Sequence, residues 1–207
     1  MSTPVPEADR VHAETREQWR RWLAENHQRR TGVWLVSWKQ HTGRSRISYD
    51  ESVEEALCVG WVDSKGRKLD DDRSMLWFAP RKPGSAWARS NKERVARLEA
   101  AGLMRPAGRR VVEQAKAGGS WTRLDEVEGL VVPDDLAAAF AARPGSREHW
   151  DNFPRSVRRA ILEWIVQAKR AETRAKRITE TAERAGRGER ANQWRDPGGG
   201  AGRLNPK

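Results

Sequence analysis

Apolar residues recur at helix or strand spacing along most of the chain, and in the first half they predict alternating elements. Trp19, Trp22 and Leu23 lie at i, i+3 and i+4, which is typical of the buried stripe of a helix, expected here over residues 15–28. A strand follows Gly32 in the run GVWLVSWK. Because apolar side chains occupy both faces of this strand, we expect it at the centre of a sheet.

Turn and cap residues divide the next segment. Asp50 is the expected N-cap of a helix that ends at Gly60, where glycine suits the left-handed conformation. Two strands then flank the acidic turn 70–73, because aspartate favours turns. Ser90, followed three residues later by Glu93, predicts another helix that begins with a capping box.

From residue 133 onward the pattern predicts only helices. The order of elements indicates an α+β fold with a small, mostly antiparallel sheet, flanking helices and an all-helical C-terminal part. We expect a core domain over residues 13–120 and a helical region over 121–188. Residues 1–12 are expected to be loose, and the glycine-rich tail 189–207 is expected to be disordered.

The formal net charge of +11 is concentrated near the C-terminus, since residues 153–207 carry 14 basic and 6 acidic side chains. Such an excess favours anionic partners such as nucleic acid, acidic protein or anionic lipid. The alternative is a solvated helical surface whose arginines pair with Glu172, Glu180 and Glu183. The residues predicted to bind nucleic acid are Arg170, Arg174, Lys176 and Arg177.

Cys58 is the single cysteine, so no internal disulfide is possible, which is typical of a reducing compartment. The first residues are polar and lack the apolar stretch of a signal peptide, and no run reaches the length of a membrane span. These observations predict a cytoplasmic protein without a membrane span. The expected partner is an unidentified protein or an anionic small ligand, with nucleic acid as an alternative, and the oligomeric state does not follow from the sequence.

The strongest site residues lie at strand ends and in the loop before the helix expected at Ser90. Cationic side chains near a helix N-terminus suit a phosphate or carboxylate, and a tryptophan can stack on a ring. The predicted ligand-binding residues are Trp61, Asp63, Asp70, Arg81, Lys82, Ser85, Trp87, Asn91 and Lys92. The structural alternative is that the tryptophans fill the core, Arg81 pairs with Asp63 or Asp70, and Ser85 or Asn91 fixes the loop.

Other chemistries have weaker support. Asp63 with the aspartates at 70–72 matches no calcium-loop spacing, and the four histidines are far apart, so no metal site is predicted. Ser85 lies outside a nucleophile elbow, and Cys58 falls on the apolar side of a helix. No glycine-rich phosphate loop is present, so no cofactor is predicted. A small enzyme that uses Asp63 or Asp70 as acid or base stays open as an alternative.

The block from Tyr49 to Gly108 contains YDESVEEALCVGWVDS, the turn at Asp70, APRKPGSAWARSNKERVARLEAAGLM and the pair Ala107-Gly108. In their order and spacing, these pieces resemble the YdeI/OmpD-associated family of bacteriocin-protection proteins. The run AKRAETRAKRI, residues 168–178, resembles the ending of the family, and with VWLVSWKQHTG the resemblance covers about residues 34–188.

This resemblance implies a small bacterial α+β protein linked to tolerance of bacteriocins or cationic antimicrobial peptides. One branch of the family is associated with an outer-membrane porin. The resemblance brings no catalytic residues, so a binding protein for stress protection is expected rather than an enzyme.

Overall fold

The computed structural model describes Pro6 and residues 9–192, and the chain divides into two units, residues 1–123 and 124–207. The described part of the first unit contains a four-stranded sheet with the order β1-β2-β4-β3. The strands are β1 (Arg10–His12), β2 (Val33–Trp38), β3 (Trp61–Lys68) and β4 (Arg73–Pro80). The central position predicted for β2 and the mostly antiparallel character of the sheet are confirmed, since only the β1–β2 pair is parallel.

Strand β1 was not expected, because residues up to 12 were predicted to be loose. Arg10, Val11 and His12 pair with Trp34, Leu35 and Val36 of β2. The prediction failed because these hydrogen bonds come from a distant strand, and three residues carry no local pattern of their own. Residues 1–5, 7 and 8 lie outside the described residues.

Helices cover one face of this sheet. They are α1 (Arg16–Asn26), α2 (Tyr49–Cys58), α3 (Arg89–Ala100) and α4 (Pro106–Ala117). The core between them contains Trp19, Trp61 and Trp87, each at most 2% exposed. The Trp19 indole donates to the Ser52 carbonyl at 3.0 Å, so its buried N–H has a partner. These three large buried side chains therefore fill much of the core.

Two helix starts differ from the prediction. Ser48, not Asp50, is the N-cap of α2, and it forms a full capping box with Glu51, while Asp50 lies in the first turn. Helix α3 begins at Arg89, one residue before the predicted start, and has no side-chain cap because its N-cap residue is Ala88. Glu93 pairs with Arg89 at 3.0 Å. For α2, Ser48 followed three residues later by Glu51 forms the capping box, and for α3 the same pattern at Ser90 and Glu93 lies inside the helix and forms no cap.

The described part of the second unit is helical, as predicted. Its elements are α5 (Asp125–Glu128), α6 (Asp134–Ala141), α7 (Ser146–Asn152), α8 (Arg155–Val166) and α9 (Ala171–Gly186). Helix α9 packs on α6, α7 and α8 through a face that includes Ala182 and Ala185, both fully buried. These small side chains permit close helix packing. Most of the predicted disordered tail, residues 193–207, lies outside the described residues.

None of the helices in the described part of the chain combines the length and the apolar character that a bilayer crossing requires.

Candidate functional site

A cleft in the first unit brings together several charged side chains. It has two lobes, of about 540 and 320 Å³, which share His27, Val59, Ala107 and Arg110. Its walls are the end of α1, the α2–β3 turn, the end of β4 and the first turns of α4. We call it the α1–α4 cleft.

Two glycines allow the walls of this cleft to approach each other. A Cβ on Gly108 would collide with the Cys58 carbonyl, so α4 can lie against the end of α2 only with glycine there. Gly60 has a φ of +81°, and a Cβ on it would lie 2.7 Å from the Val111 Cγ2 atom. The Arg105 N–H, which donates to the Cys58 carbonyl at 2.9 Å, joins the same helix ends.

Trp61 and Arg81 fix the other wall of the cleft. The buried Trp61 indole donates to the His27 carbonyl at 2.9 Å and so ties the end of α1 to β3. The Arg81 N–H donates to the Gly60 carbonyl at 3.0 Å, which ties the end of β4 to the α2–β3 turn. The sequence left two roles open for Trp61, a stacking face or a core residue, and at 1% exposure its ring is part of the core.

Arg81 is the most unusual charged group of the cleft. Its guanidinium lies 3.8 Å from the centre of the Trp87 ring, and Nη2 donates to the Ala86 carbonyl. Its buried Nε has no hydrogen-bond partner in the described part of the chain. Burial lowers the pKa of Arg81 to about 10, and the charge of Asp63 opposes this shift only in part. Trp87, predicted to stack on a ligand, is 2% exposed and stacks on Arg81 instead.

The remaining charge of the cleft is mostly positive. Arg105 and Arg110 are exposed, and neither has a carboxylate within ion-pair distance among the residues that the structure describes. Arg20 also lines the cleft, but it pairs with the buried Glu55 at 2.7 Å, and Glu55 accepts from Arg16 as well. Although burial alone would raise it, the hydrogen bonds from these arginines lower the pKa of Glu55.

Asp63 and Asn91 lie in a neighbouring polar cluster. Asp63 accepts a hydrogen bond from the Tyr49 hydroxyl at 2.9 Å. Asn91 accepts from Arg94 at 3.2 Å, and Arg94 pairs with Asp50 at 2.6 Å and lies 6.0 Å from the Tyr49 ring. Tyr49 and Arg94 therefore connect these two predicted residues, and both keep intramolecular partners.

Asp70 lies apart from the other predicted ligand-binding residues. It belongs to the β3–β4 turn, where it pairs with Arg73 at 2.7 Å and accepts the backbone N–H groups of Asp72 and Arg73. Strands of eight residues separate this turn from Trp61 and Pro80, at the other end of the hairpin. The expected pairing of Arg81 with Asp70 is therefore wrong, because the hairpin places them at opposite ends.

Lys82 and Ser85 belong to the turn that follows β4. The Ser85 N–H donates to the Lys82 carbonyl at 3.2 Å, and both residues line a small cavity of about 50 Å³ beside Arg81 and Trp87. Lys92 lies on α3, with its ammonium 5.6 Å from the Trp121 ring. A direct role for these three residues in ligand binding stays a prediction.

The residues predicted to bind nucleic acid are partly engaged within the second unit. Arg174 forms a bidentate pair with Asp135 at 2.7 and 3.0 Å, which raises the pKa of Arg174. Arg177 donates to the Trp164 carbonyl and lies over its ring. Arg170 and Lys176 are exposed. The stripe of four free cations that the sequence suggested is thus reduced to two.

In the described part of the chain, no group of three or more His, Cys, Asp or Glu side chains could hold a metal ion. Sequence reasoning missed His27, Arg105 and Arg110 as cleft residues. The sequence feature that marks this region is the helix start at Pro106 followed by Gly108. It indicates a cleft only once the structure shows that Gly108 lies against the end of α2.

Two family models match the chain, one in each unit. Residues 11–111 match a domain of unknown function (DUF8412). Residues 129–188 match the family described as bacteriocin-protection, YdeI or OmpD-associated. The predicted family is confirmed for this segment. Neither a curated protein nor a solved structure matches the chain.

The family match falls on a different segment from the one that carried most of the resemblance. The block from Tyr49 to Gly108 lies within residues 11–111, which match the domain of unknown function. Only the run at residues 168–178 lies within the YdeI/OmpD-associated segment. The α1–α4 cleft therefore lies in a unit for which the comparisons give no activity.

Proposed function

We propose that this chain is a bacteriocin-protection protein that acts by binding, and that the α1–α4 cleft holds an anionic group of its partner. The match of residues 129–188 to the YdeI/OmpD-associated family supports the protective role. The excess of positive side chains in the cleft supports an anionic group as the part of the partner that is bound. The cytoplasmic location predicted from the sequence is part of this proposal.

The observation that carries the proposal is the state of Arg81. A guanidinium that is largely removed from water usually has a carboxylate partner, because desolvation of the charge is costly. The Arg81 guanidinium contacts the Trp87 ring and donates to the Ala86 carbonyl, and the charge of Asp63 lies farther away. Arg81 forms no ion pair with any of the described residues. A carboxylate or phosphate in the cleft would supply the missing charge and a partner for Nε.

The geometry of α4 supports the same sign of ligand. Its N-terminus opens on the cleft at Arg105 and Pro106, and the helix dipole adds partial positive charge there. Arg110 lines both lobes, and so it lies between the helix end in the larger lobe and Arg81 in the smaller one.

The side chains of the cleft favour binding over catalysis. Burial raises the pKa of Cys58 to about 11, so its thiol is almost fully protonated at neutral pH and a poor nucleophile. Glu55 is held by two arginines and is not available as a general base. Asp63 and Asp70, the acid–base candidates from the sequence, bond Tyr49 and Arg73 respectively.

The test is survival of a bacteriocin-sensitive bacterial host that expresses the chain. Arg110→Glu reverses a charge inside the cleft without disturbing the core, because Arg110 is exposed. Each lost charge-assisted hydrogen bond costs about 1.5–3 kcal/mol, or roughly a 10- to 100-fold loss of affinity, so we expect protection to be lost. Arg81→Gln should act in the same direction.

Arg109→Glu is the matched control. It makes the same charge change on the next residue of α4, which is also exposed but does not line the cleft. Protection should survive Arg109→Glu. Equal protection by the wild type, Arg110→Glu and Arg81→Gln, at equal protein levels, would refute the role of the cleft. Loss of protection by all variants would point to net charge instead.

A further inference from the structure

A second cavity of the first unit, of about 420 Å³, lies between the sheet and the start of α2. It shares no lining residue with the α1–α4 cleft. Two rows of residues across strands β2, β4 and β3 form its floor, and Tyr49, 55% exposed, forms one wall. We call it the Gly66 groove.

The first row consists of Leu35, Leu76 and Gly66, which are paired across the three strands. Gly66 leaves the end of this row without a side chain. A Cβ on Gly66 would approach only the Met75 carbonyl, at 4.0 Å, and its φ lies outside the left-handed region. Neither close packing nor φ requires glycine here, and a glycine in a strand is typical of a bulge or of the approach of a ligand. A register irregularity lies just before it, between Asp63 and Gly66.

The second row places hydrogen-bond donors beside this apolar floor. It consists of Ser37, Ser74 and Lys68. Within the described residues, the hydroxyls of Ser37 and Ser74 have no hydrogen-bond partner, although both residues are only partly exposed. Two neighbouring hydroxyls without partners are suited to a ligand that itself carries hydroxyl groups.

The charge of the groove is positive. No acidic residue is among those that line it. Arg46 at its edge is exposed and has no carboxylate partner among the residues described. Lys68 pairs with Asp71 at 2.5 Å, but both side chains are exposed, so water and other anions compete with this pair.

From these observations we infer that the Gly66 groove binds a small polyhydroxylated anion of the sugar phosphate class. The partly exposed Leu76, which packs beside the buried Leu35, provides apolar contact for the C–H face of a sugar ring. The Ser37 and Ser74 hydroxyls bond its hydroxyl groups. Arg46 and Lys68 receive the phosphate. The volume of the groove falls in the range of small-molecule sites, about 300–1,000 Å³. This inference does not depend on the α1–α4 cleft.

The test is calorimetric titration of the full chain with glucose 6-phosphate, with neutral glucose and inorganic phosphate as separate probes. We expect saturable binding of glucose 6-phosphate, and binding at least tenfold weaker for each half of the molecule. Gly66→Val fills the floor and should abolish binding. Arg46→Gln should weaken binding about tenfold, which corresponds to 1.4 kcal/mol.

Arg30→Gln, a change at an exposed arginine away from the groove, is the control and should leave the affinity unchanged. Thermal melts identify any variant that fails to fold, and Ser74→Ala then replaces it as a test of the floor. Absence of binding to the wild type would overturn the inference. Equal affinity for inorganic phosphate, or binding that survives both Gly66→Val and Arg46→Gln, would also overturn it.

Discussion

The arginines that line the cavities of the first unit differ in what they contact from several arginines of the second unit. In the second unit, Arg143, Arg159 and Arg174 pair with Glu183, Glu128 and Asp135. In the first unit, Arg81, Arg105 and Arg110 line a cleft, and Arg46 edges a groove, without a carboxylate partner among the described residues. The sequence places most of the net positive charge near the C-terminus, yet among the described residues four arginines without a carboxylate partner lie at cavities of the first unit.

Net charge and the number of cations free to bind a ligand are therefore separate quantities. Net charge governs long-range attraction, whereas a binding site needs a cation whose hydrogen-bond donors are not already used. In the second unit, ion pairs consume many of the donors that the composition supplies. The cavities of the first unit are therefore better suited to bind an anionic ligand than the basic helices of the second unit.

The largest expected effect contrasts a helical glycine of each unit. Gly108→Ala should destabilise the protein by about 3 kcal/mol, because its Cβ would meet backbone atoms at the end of α2 that cannot move aside without shifting the helix. Gly186→Ala in α9 meets nothing within 4 Å and should stabilise by about 0.4–1 kcal/mol. Urea unfolding of both variants measures the contrast. Equal effects would mean that α4 does not depend on contact with α2.

The next effect concerns a buried and an exposed carboxylate. Glu55→Gln should cost about 1.5–3 kcal/mol, because its oxygens accept from Arg16 and Arg20. Glu183→Gln, which loses an exposed pair with Arg143, should cost less than about 1 kcal/mol. Denaturant midpoints at pH 7 compare the two variants. A larger cost for Glu183→Gln would reverse our ranking of the two ion-pair networks.

The stability difference between the wild type and Glu55→Gln should depend on pH. Since the folded pKa of Glu55 lies below its ordinary value of 4.5, the unfolded chain takes up the proton first as the pH falls. The contribution of Glu55 is therefore complete above about pH 4.5 and is lost as the pH falls through the folded pKa. The wild type should lose its advantage over Glu55→Gln in this window. A constant difference down to pH 3 would contradict the ion-pair network.

A smaller effect concerns the reactivity of Cys58. Its burial, and a pKa raised to about 11, should slow labelling by a thiol reagent at pH 8 by about 100-fold or more relative to the unfolded chain. Because Cys58 is the single cysteine, one absorbance trace reports on it alone. Rapid labelling of the native protein would show that Cys58, which lines the α1–α4 cleft, becomes accessible to solvent.

The smallest effects lie in the basic helix of the second unit. Arg170→Gln and Lys176→Gln should each change stability by less than about 0.5 kcal/mol, because both side chains are exposed. Arg174→Gln should cost up to about 1 kcal/mol through its pair with Asp135. Thermal melts give the ranking. Salt-dependent DNA retention that Arg170→Gln and Lys176→Gln abolish would restore the nucleic-acid hypothesis.

The sequence predicts those parts of the fold that depend on the conformational preferences of single residues. Gly60 ends α2 in the left-handed conformation, and the β3–β4 turn falls at Asp70, because both follow from backbone preferences of single residues. Strand β1 could not be predicted, since its partner is distant in sequence. Asp50 was the predicted N-cap of α2, but Ser48 caps it together with Glu51, in the local pattern of a capping box.

The candidate site was predicted only in part. Arg81 and Trp87 were identified from residue type, and they do meet. Whether a tryptophan faces a ligand or the core depends on packing, which residue type does not encode, so Trp61 was assigned a stacking role that burial denies. Arg110 and His27 come together only because Gly108 lets α4 approach α2.

The stacking of Arg81 on Trp87 gives the protein a built-in optical reporter. Trp87 also contacts Trp121, with ring centres 4.9 Å apart, so the charge of the guanidinium acts on a pair of coupled indoles. An anion that draws Arg81 toward the α1–α4 cleft would change the electric field at the Trp87 ring and shift its emission. Occupancy of the cleft should therefore be visible by fluorescence without any label, and Trp87→Phe should remove that signal.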